Sequence, residues 1–329
     1  MIFMKMTGNN QKLSKKEILF SQLNGKLKTL DKLVRDNIRC PLCWEPFAFD
    51  ALQSDLSVEH VPPIAAARLI KEKPFTTLTC KRCNHTYGSR YHSHLKNFLI
   101  CQLHQAGKYD KPIRGTITPS DSELVPQKSN IVFTPKELEV VGVPKANAAS
   151  TTENHISAWE SIAKSGASGW RFSISLNYGY IPSIAWSAYL QVAYLMVYIL
   201  TGCHYAFTAA GRELRTLITQ NKVGDLGACI IIPRTVDAVG VGGTPWLAEV
   251  TEPHGLRCLW VKLAGNVVIL PLHDDSMLSC YKAWQDISEQ NHFGLMPRNT
   301  HLRLVFRYLQ NIAEAQQCLQ PASQKSTRA

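Results

Sequence analysis

The sequence predicts an α+β protein in two parts, a small domain stapled by cysteines and a larger α+β domain after it. Two CxxC pairs, Cys40 with Cys43 and Cys80 with Cys83, enclose a short segment that contains the strand-like run LSVEHVPP. A polar, helix-like segment begins at Asn84, directly after the second pair. Beyond residue 130, strand-like apolar runs alternate with helix-like segments, which is typical of an α+β domain.

The N-terminal segment, residues 1–35, is predicted to be basic and helical, because apolar residues recur at near-helical spacing among lysines. Residues 1–115 hold 19 Lys and Arg against 9 Asp and Glu, whereas the rest of the chain holds 17 against 16. Almost all of the net charge of +11 therefore lies in the first third. Such a concentration favours a polyanionic partner, although a run of charge is more often a solvated surface.

Composition sets the predicted domain boundaries. Residues 36–114 form the compact cysteine-stapled domain, and residues 115–130, rich in Pro, Ser and Thr, are predicted to be a linker. Residues 131–320 form the α+β domain, for which we expect a role in substrate selection or sensing. Residues 321–329 are polar and are predicted to be a frayed tail.

Several elements are predicted within the larger region. Residues 151–164 and 300–319 have helical patterns, and the second of these reads as a closing amphipathic helix. Residues 171–179 alternate like a strand. Residues 257–272 read as a β-hairpin that turns at residues 264–266.

Residues 183–202 carry no formal charge over a length close to that of a membrane span. The segment contains Gln191 together with tyrosines and serines, and no basic residue stands immediately beside it, so we expect a buried core helix and no membrane insertion. No N-terminal stretch resembles a signal peptide. Ten cysteines without an export signal favour reduced thiols or metal ligands, so the expected location is the cytoplasm.

The two CxxC pairs predict a structural zinc site. Each short turn can present two thiolates to one ion, and four thiolates complete a tetrahedron. Such a site is sufficient to hold a fold together without any catalytic role.

Glu59, His60 and Asn84 are the candidate catalytic residues. Neighbouring strand residues point to opposite faces, but a hairpin tied by zinc is expected to bring Glu59 and His60 to the first turn of the helix at Asn84. The oxygens of Glu59 and Asn84 suit Mg²⁺, and a neutral His60 can accept a proton from water. Exposed amides at the helix start add a predicted phosphate site, and Asn84 is equally readable as a helix cap.

These motifs resemble the zinc-knuckle branch of the HNH, or ββα-metal, endonucleases, in which CxxC, an acid–His pair, a second CxxC running into Asn and a later polar helix residue follow in this order. The resemblance covers residues 36–105. It implies a hairpin-plus-helix nuclease domain with structural Zn²⁺ on the four cysteines and catalytic Mg²⁺ or Mn²⁺ on Glu59 and Asn84. It also implies His60 as the general base and His92 as the last polar position, with His94 as an alternative to His92.

The implied activity is hydrolysis of DNA phosphodiester bonds to 5′-phosphate and 3′-hydroxyl ends. Phosphate contacts are expected from basic residues and histidines around the second CxxC pair and the helix: Lys81, Arg82, His85, Arg90, His94 and Lys96. Family members serve in restriction and phage defence, so a homo-oligomer or a defence-system partner acting through the C-terminal domain is a further expectation. The alternative is a zinc-knuckle protein that binds nucleic acid with an inactive nuclease centre.

Overall fold

A computed structural model of the chain describes its fold. The described residues are 13–31, 36–119, 127–133, 138–140, 172–220, 231–232, 247–251, 257–263, 266–272 and 305–308. They form a mixture of helices and small antiparallel sheets, which confirms the α+β class. They fall into two compact units, one drawn from Met1–Leu95 and Ile181–Ala329 and the other from Lys96–Tyr180.

The first unit begins with helix α1, Lys15–Leu30, as the N-terminal pattern predicts. A capping box fixes its start, because Glu17 N donates to Ser14 Oγ and Ser14 N donates to Glu17 Oε2. The paired strands β1 (Asn37–Arg39) and β2 (Pro46–Ala48) follow, and then the short helix α2 (Ala51–Ser54).

A β-hairpin and a long helix come next. Strand β3, Leu56–Val61, pairs antiparallel with β4, Phe75–Cys80, and helix α3, Ile64–Ile70, lies in the connection. Helix α4, Lys81–Gln105, begins directly after β4.

The C-terminal part of the first unit contains two helices and a sheet. Helices α5, Pro182–Leu200, and α6, Ala209–Gln220, are joined through a 3₁₀ turn at His204–Phe207. Five strands follow α6 in the chain: β9 (Ile231–Ile232), β10 (Leu247–Thr251), β11 (Arg257–Leu263), β12 (Asn266–Pro271) and β13 (Val305–Tyr308). These five form one antiparallel sheet in the order β13-β10-β11-β12-β9.

The second unit holds the end of α4 and a four-stranded antiparallel sheet in the order β7-β6-β5-β8. Its strands are β5 (Ile113–Pro119), β6 (Gln127–Phe133), β7 (Leu138–Val140) and β8 (Phe172–Leu176). Residues 115–119 and 127–130, predicted as linker, therefore belong to strands. Backbone pairing, such as that of Gly115 with Ser129, stabilises an extended chain whose Ser and Thr content favours a loop locally.

The core of the first unit joins distant parts of the chain. Its buried side chains come from α1, the two hairpins, α2, α5 and the 3₁₀ turn: Phe20, Leu23, Leu27, Ile38, Leu52, Leu56, Leu78, Tyr198, Cys203 and Ala206. Residues 181–220 thus pack with the cysteine-stapled region, although the predicted boundaries assign them to the other domain.

Helix α5 is long and apolar enough to cross a bilayer by length and composition, and it is the one such helix among the described residues. However, 72% of the most apolar 18-residue stretch of this helix is buried inside the fold. This burial is what a core helix of a soluble protein shows.

Other predicted elements have mixed outcomes. The strand over 171–179 and the hairpin over 257–272 are confirmed, with Leu263 opposite Asn266. Residues 305–308 form a strand paired with β10 and not part of a helix, because sheet pairing overrides the local helical pattern. The predicted helix over 151–164, the turn residues 264 and 265, and the tail over 321–329 lie outside the described residues.

Candidate functional site

Four cysteine sulfurs meet at the junction of the two hairpins. The sulfurs of Cys40, Cys43, Cys80 and Cys83 all lie within 4.8 Å of one another. Cys43 Sγ and Cys80 Sγ are 3.8 Å apart, and a tetrahedron with 2.3 Å Zn–S bonds has edges of about 3.8 Å. The cluster is therefore close enough, and of the right donor type, to hold a metal ion such as zinc.

Backbone amides support these sulfurs. Cys80 N donates to Cys40 Sγ at 3.4 Å, and Cys83 N donates to Cys80 Sγ at 3.3 Å. A hydrogen bond from the Cys40 thiol is the main cause that lowers the pKa of Cys43 to about 6. Hydrogen bonds within the cluster raise the pKa of Cys40 and of Cys83, so the metal-free cluster keeps protons that a bound metal ion would displace.

The hairpin β3–β4 presents different side chains on its two faces. The register pairs Ser57 with Thr79, Glu59 with Thr77 and His60 with Thr76. Because side chains alternate along a strand, Ser57 and Glu59 share one face and His60 lies on the other. Contacts with Asn84 and His92 show that the face carrying Ser57 and Glu59 is covered by α4.

Glu59 is a buried carboxylate, 4% exposed, beside an imidazole. His92 Nε2 lies 3.4 Å from Glu59 Oε1. Burial raises the pKa of Glu59 to about 7 and lowers the pKa of His92 to about 4, so His92 is neutral at physiological pH. Among the described residues, the basic side chain that contacts Glu59 is that of His92. Because this imidazole is neutral, it does not compensate the charge of an ionised Glu59.

Asn84 completes this side of the site. Its Nδ2 donates to Ser57 Oγ at 2.8 Å. A Cβ built on Gly88 would lie 3.5 Å from Asn84 Oδ1 and 3.6 Å from His92 Nδ1. Asn84, Gly88 and His92 recur at intervals of four along α4, so the glycine leaves a gap between the amide oxygen and the imidazole.

Thr77, opposite Glu59, adds an unusual polar group. It is 1% exposed, and its Oγ1 has no hydrogen-bond partner among the described residues. Buried hydroxyls are normally paired, so this one is available to a water or to an ionised Glu59.

His60 stands apart from this group. It is half-buried, and the described residues offer it neither a hydrogen bond nor an ion pair. Burial, followed by the charge of Lys15 on α1, lowers its pKa and keeps it neutral. The expectation that Glu59 and His60 both face the first turn of the helix is therefore wrong, because strand alternation separates them.

The start of α4 also differs from expectation. The helix begins at Lys81, so Asn84 is its fourth residue and not its cap. The amides of Lys81 and Cys83 are occupied by Asp55 O and by Cys80 Sγ, so these two donors are not available to a phosphate.

The structure separates the roles of the two candidate histidines. His94 Nδ1 accepts a hydrogen bond from Ile181 N at 2.9 Å, whereas His92 faces Glu59. His92 is therefore the histidine of the site, and His94 holds the residue before α5.

Apart from the half-buried His94, the predicted phosphate contacts are exposed, but they differ in whether they already have partners within the chain. Lys81 Nζ donates to Gln53 O, and Arg82 pairs with Glu45 at 2.7 Å, so both already have partners within the chain. The Arg90 guanidinium lies over the Tyr91 ring at 5.8 Å. His85 and Lys96 are exposed on the same helix.

Sequence reasoning missed Ser57, Thr77 and Gly88. Because strand side chains alternate, Ser57 can be predicted to share a face with Glu59. Gly88 lies four residues after Asn84 and four before His92, so it can be predicted to lie between them on one helix face. Thr77 depends on the hairpin register, for which the local sequence carries no clear signal.

Comparisons with protein-family models, curated proteins and solved structures find no match to this chain.

Proposed function

We propose that the protein is a metal-dependent endonuclease of the HNH type that hydrolyses DNA phosphodiester bonds. One observation carries the proposal: the buried Glu59 carboxylate meets a neutral imidazole, with Asn84 beside it, on a hairpin-plus-helix unit that is stapled by four cysteines. A buried carboxylate without a compensating charge is costly unless it binds a cation, so perturbed groups of this kind concentrate at functional sites.

The donor geometry supports a divalent cation. The 3.4 Å between Glu59 Oε1 and His92 Nε2 exceeds the roughly 2.8 Å of a charge-assisted hydrogen bond. It is nearer the distance of about 3 Å between adjacent ligands of an octahedral ion with bonds of about 2.1 Å. We assign Mg²⁺ or Mn²⁺ to Glu59 and Asn84, with His92 as the third donor.

A bound cation would supply positive charge to a non-bridging oxygen of the scissile phosphate and to the departing 3′ oxygen. His60, neutral and half-exposed near the end of β3, accepts a proton from the attacking water. The oxygen of that water bonds to phosphorus as the bond to the 3′ oxygen breaks. The products are a 5′-phosphate and a 3′-hydroxyl, whose proton comes from solvent.

We assign structural Zn²⁺ to the four cysteines and the DNA backbone to the exposed basic face of α4. Of the predicted contacts, Arg90, His85 and Lys96 are the best placed, because Lys81 and Arg82 already bind groups in the chain. A cytoplasmic location, a defence or restriction role and substrate selection by the C-terminal region belong to the same proposal.

The second candidate is a zinc-knuckle nucleic-acid-binding protein with an inactive centre. The orientation of His60 favours it, because the residue assigned as base lies on the hairpin face opposite Glu59. The two functions differ in whether the protein cleaves DNA at all.

Plasmid cleavage with purified protein tests the proposal, with Mg²⁺ or Mn²⁺ present and with EDTA. We expect cation-dependent nicking or linearisation that Glu59→Gln and His92→Gln abolish and that His60→Ala reduces at least a hundredfold. His94→Gln is the matched control, because it removes a histidine of the same helix that does not face Glu59. DNA binding without cleavage under every cation condition would establish the second candidate, and full activity of His60→Ala would show that another group is the base.

A further inference from the structure

We propose that Ser57 is a positioning residue that holds the Asn84 carboxamide with its oxygen toward the cation. The inference rests on the proposed function, and it adds a residue that the family motif does not contain. Ser57 precedes Glu59 by two residues on the same face of β3, so one strand supplies both the carboxylate and the group that orients the amide.

The hydrogen bonds of Ser57 determine whether the nitrogen or the oxygen of the Asn84 carboxamide faces its hydroxyl. Ser57 Oγ lies 3.5 Å from Thr79 O, a carbonyl that can only accept, so the hydroxyl proton is directed there. The remaining lone pairs of Oγ then require a donor, and Asn84 Nδ2 supplies one at 2.8 Å.

Exchanging the positions of Oδ1 and Nδ2 of Asn84 would be unfavourable for two reasons. Asn84 Oδ1 would face the hydroxyl oxygen unless Ser57 gave up its bond to Thr79 O. Two N–H donors would also point toward the gap at Gly88, where they would repel a cation. Ser57 therefore selects the orientation that offers an oxygen ligand.

The other side of the amide fits this role. Asn84 Oδ1 faces the gap at Gly88, where a Cβ would be 3.5 Å away and His92 Nδ1 lies across the same position at 3.6 Å. The amide oxygen of Asn84 and Nδ1 of His92 therefore border one space, and the other ring nitrogen of His92, Nε2, contacts Glu59.

Ser57→Val and Ser57→Thr form a matched pair for the test, because both add the same branched bulk to a strand and only Thr keeps a hydroxyl. Two quantities are measured on folded protein, verified by thermal unfolding: the Kd for Mn²⁺ by electron paramagnetic resonance, and the Mg²⁺ concentration for half-maximal plasmid cleavage. We expect Ser57→Val to weaken both about tenfold or more and Ser57→Thr to remain within about threefold of the wild type.

The outcomes separate the inference from the proposed function. Equal cation dependence of the Val and Thr variants, in a wild type that binds Mn²⁺ and cleaves, would overturn the role of Ser57 and leave the nuclease intact. A wild-type protein that neither binds Mn²⁺ at this site nor cleaves DNA would overturn both. If saturating Mg²⁺ restores the cleavage rate of Ser57→Val, the residue acts through cation affinity, as the inference requires.

Discussion

At Glu59, burial and chemistry make opposite demands. Burial favours the protonated carboxyl and raises its pKa to about 7, whereas cation binding needs the carboxylate. His92 shows the reverse effect on a base, because burial favours its neutral form, which is also the form that binds a metal. Glu59 therefore lowers the stability of the metal-free protein when it is ionised and ready to bind a cation, whereas the cation-binding form of His92 is also the form that burial favours.

Opposing pH dependences follow from these two pKa values. The contribution of Glu59 to the free energy of unfolding is fully present below its ordinary pKa of 4.5 and is lost as the pH rises through about 7. The contribution of His92 is present above its ordinary pKa of 6.5 and is lost as the pH falls through about 4.

We therefore expect Glu59→Gln to stabilise the cation-free protein more at pH 8 than at pH 5, by up to roughly 3 kcal/mol. His92→Gln should show the opposite trend, with its largest loss of stability above pH 6.5. Urea unfolding at several pH values measures both. Parallel pH profiles of the wild type and both variants would show that burial does not perturb these groups.

Gly88 lies inside helix α4, where glycine costs stability. Replacing it with alanine should raise the free energy of unfolding by up to about 1 kcal/mol, because alanine is the better helix former. The new methyl would contact Asn84 Oδ1 and His92 Nδ1, so cation affinity and cleavage should fall. Gly25→Ala in α1 is the control, because nothing lies within 4 Å of its Cβ position. Equal effects of the two variants on cleavage would contradict an open site at Gly88.

Among the elements, helices α5 and α6 and the 3₁₀ turn between them contact the first CxxC turn. Tyr194 of α5 donates to Pro41 O, between the first two cysteines, at 2.8 Å. Trp44, whose φ of 64° is rare for a bulky residue, lies under Arg215 of α6 at 4.4 Å and against Phe207 at 5.1 Å. These contacts stabilise the conformation of the first CxxC turn.

Tyr194→Phe should destabilise the protein by about 1 to 2 kcal/mol, because Pro41 O is left without its buried donor. It should also speed zinc release to a chelator. Tyr205→Phe removes a similar bond, to Pro271 O at 2.9 Å, which does not involve the CxxC turn. Comparable destabilisation without faster zinc release is expected for this control, and equal release rates would mean that α5 does not support the metal site.

In the whole molecule, the core around the cysteine-stapled region includes side chains from outside that region. Phe20, Leu23 and Leu27 of α1 and Tyr198 of α5 pack with its buried leucines. Lys16 Nζ also donates to Leu52 O and Leu56 O, which ties α1 to the start of β3. The helix and hairpin of the site thus depend on chain before residue 36 and after residue 180.

The isolated polypeptide 36–114 should consequently fail to unfold cooperatively, even with zinc. Losing four large buried side chains costs roughly 6 to 12 kcal/mol, at about 1.5 to 3 kcal/mol each. This equals the stability of a typical domain, roughly 5 to 15 kcal/mol. Circular dichroism during thermal unfolding, with the full chain as reference, measures this, and a sharp zinc-dependent transition of the fragment would contradict it.

Local sequence patterns were sufficient to predict the α+β class, helix α1, the hairpin over 257–272 and the grouping of the four cysteines. Each of these follows from local periodicity or from ligand spacing, which a short segment carries on its own. The sequence also predicted Glu59, Asn84 and His92 as site residues, from the oxygen ligands that Mg²⁺ prefers, the spacing of eight residues along the helix and the family resemblance.

The face that each side chain occupies, and the elements that cover it, depend on how the helices and strands pack together. His60 lies on the hairpin face that Glu59 does not occupy, His94 accepts a hydrogen bond from Ile181 N, and residues 115–119 and 127–130 form strands. Helix α5 also packs against the cysteine-stapled region, where Tyr194 contacts Pro41, 153 residues earlier in the sequence. Register, helix packing and burial depend on residues that are distant in sequence, and no local pattern encodes them.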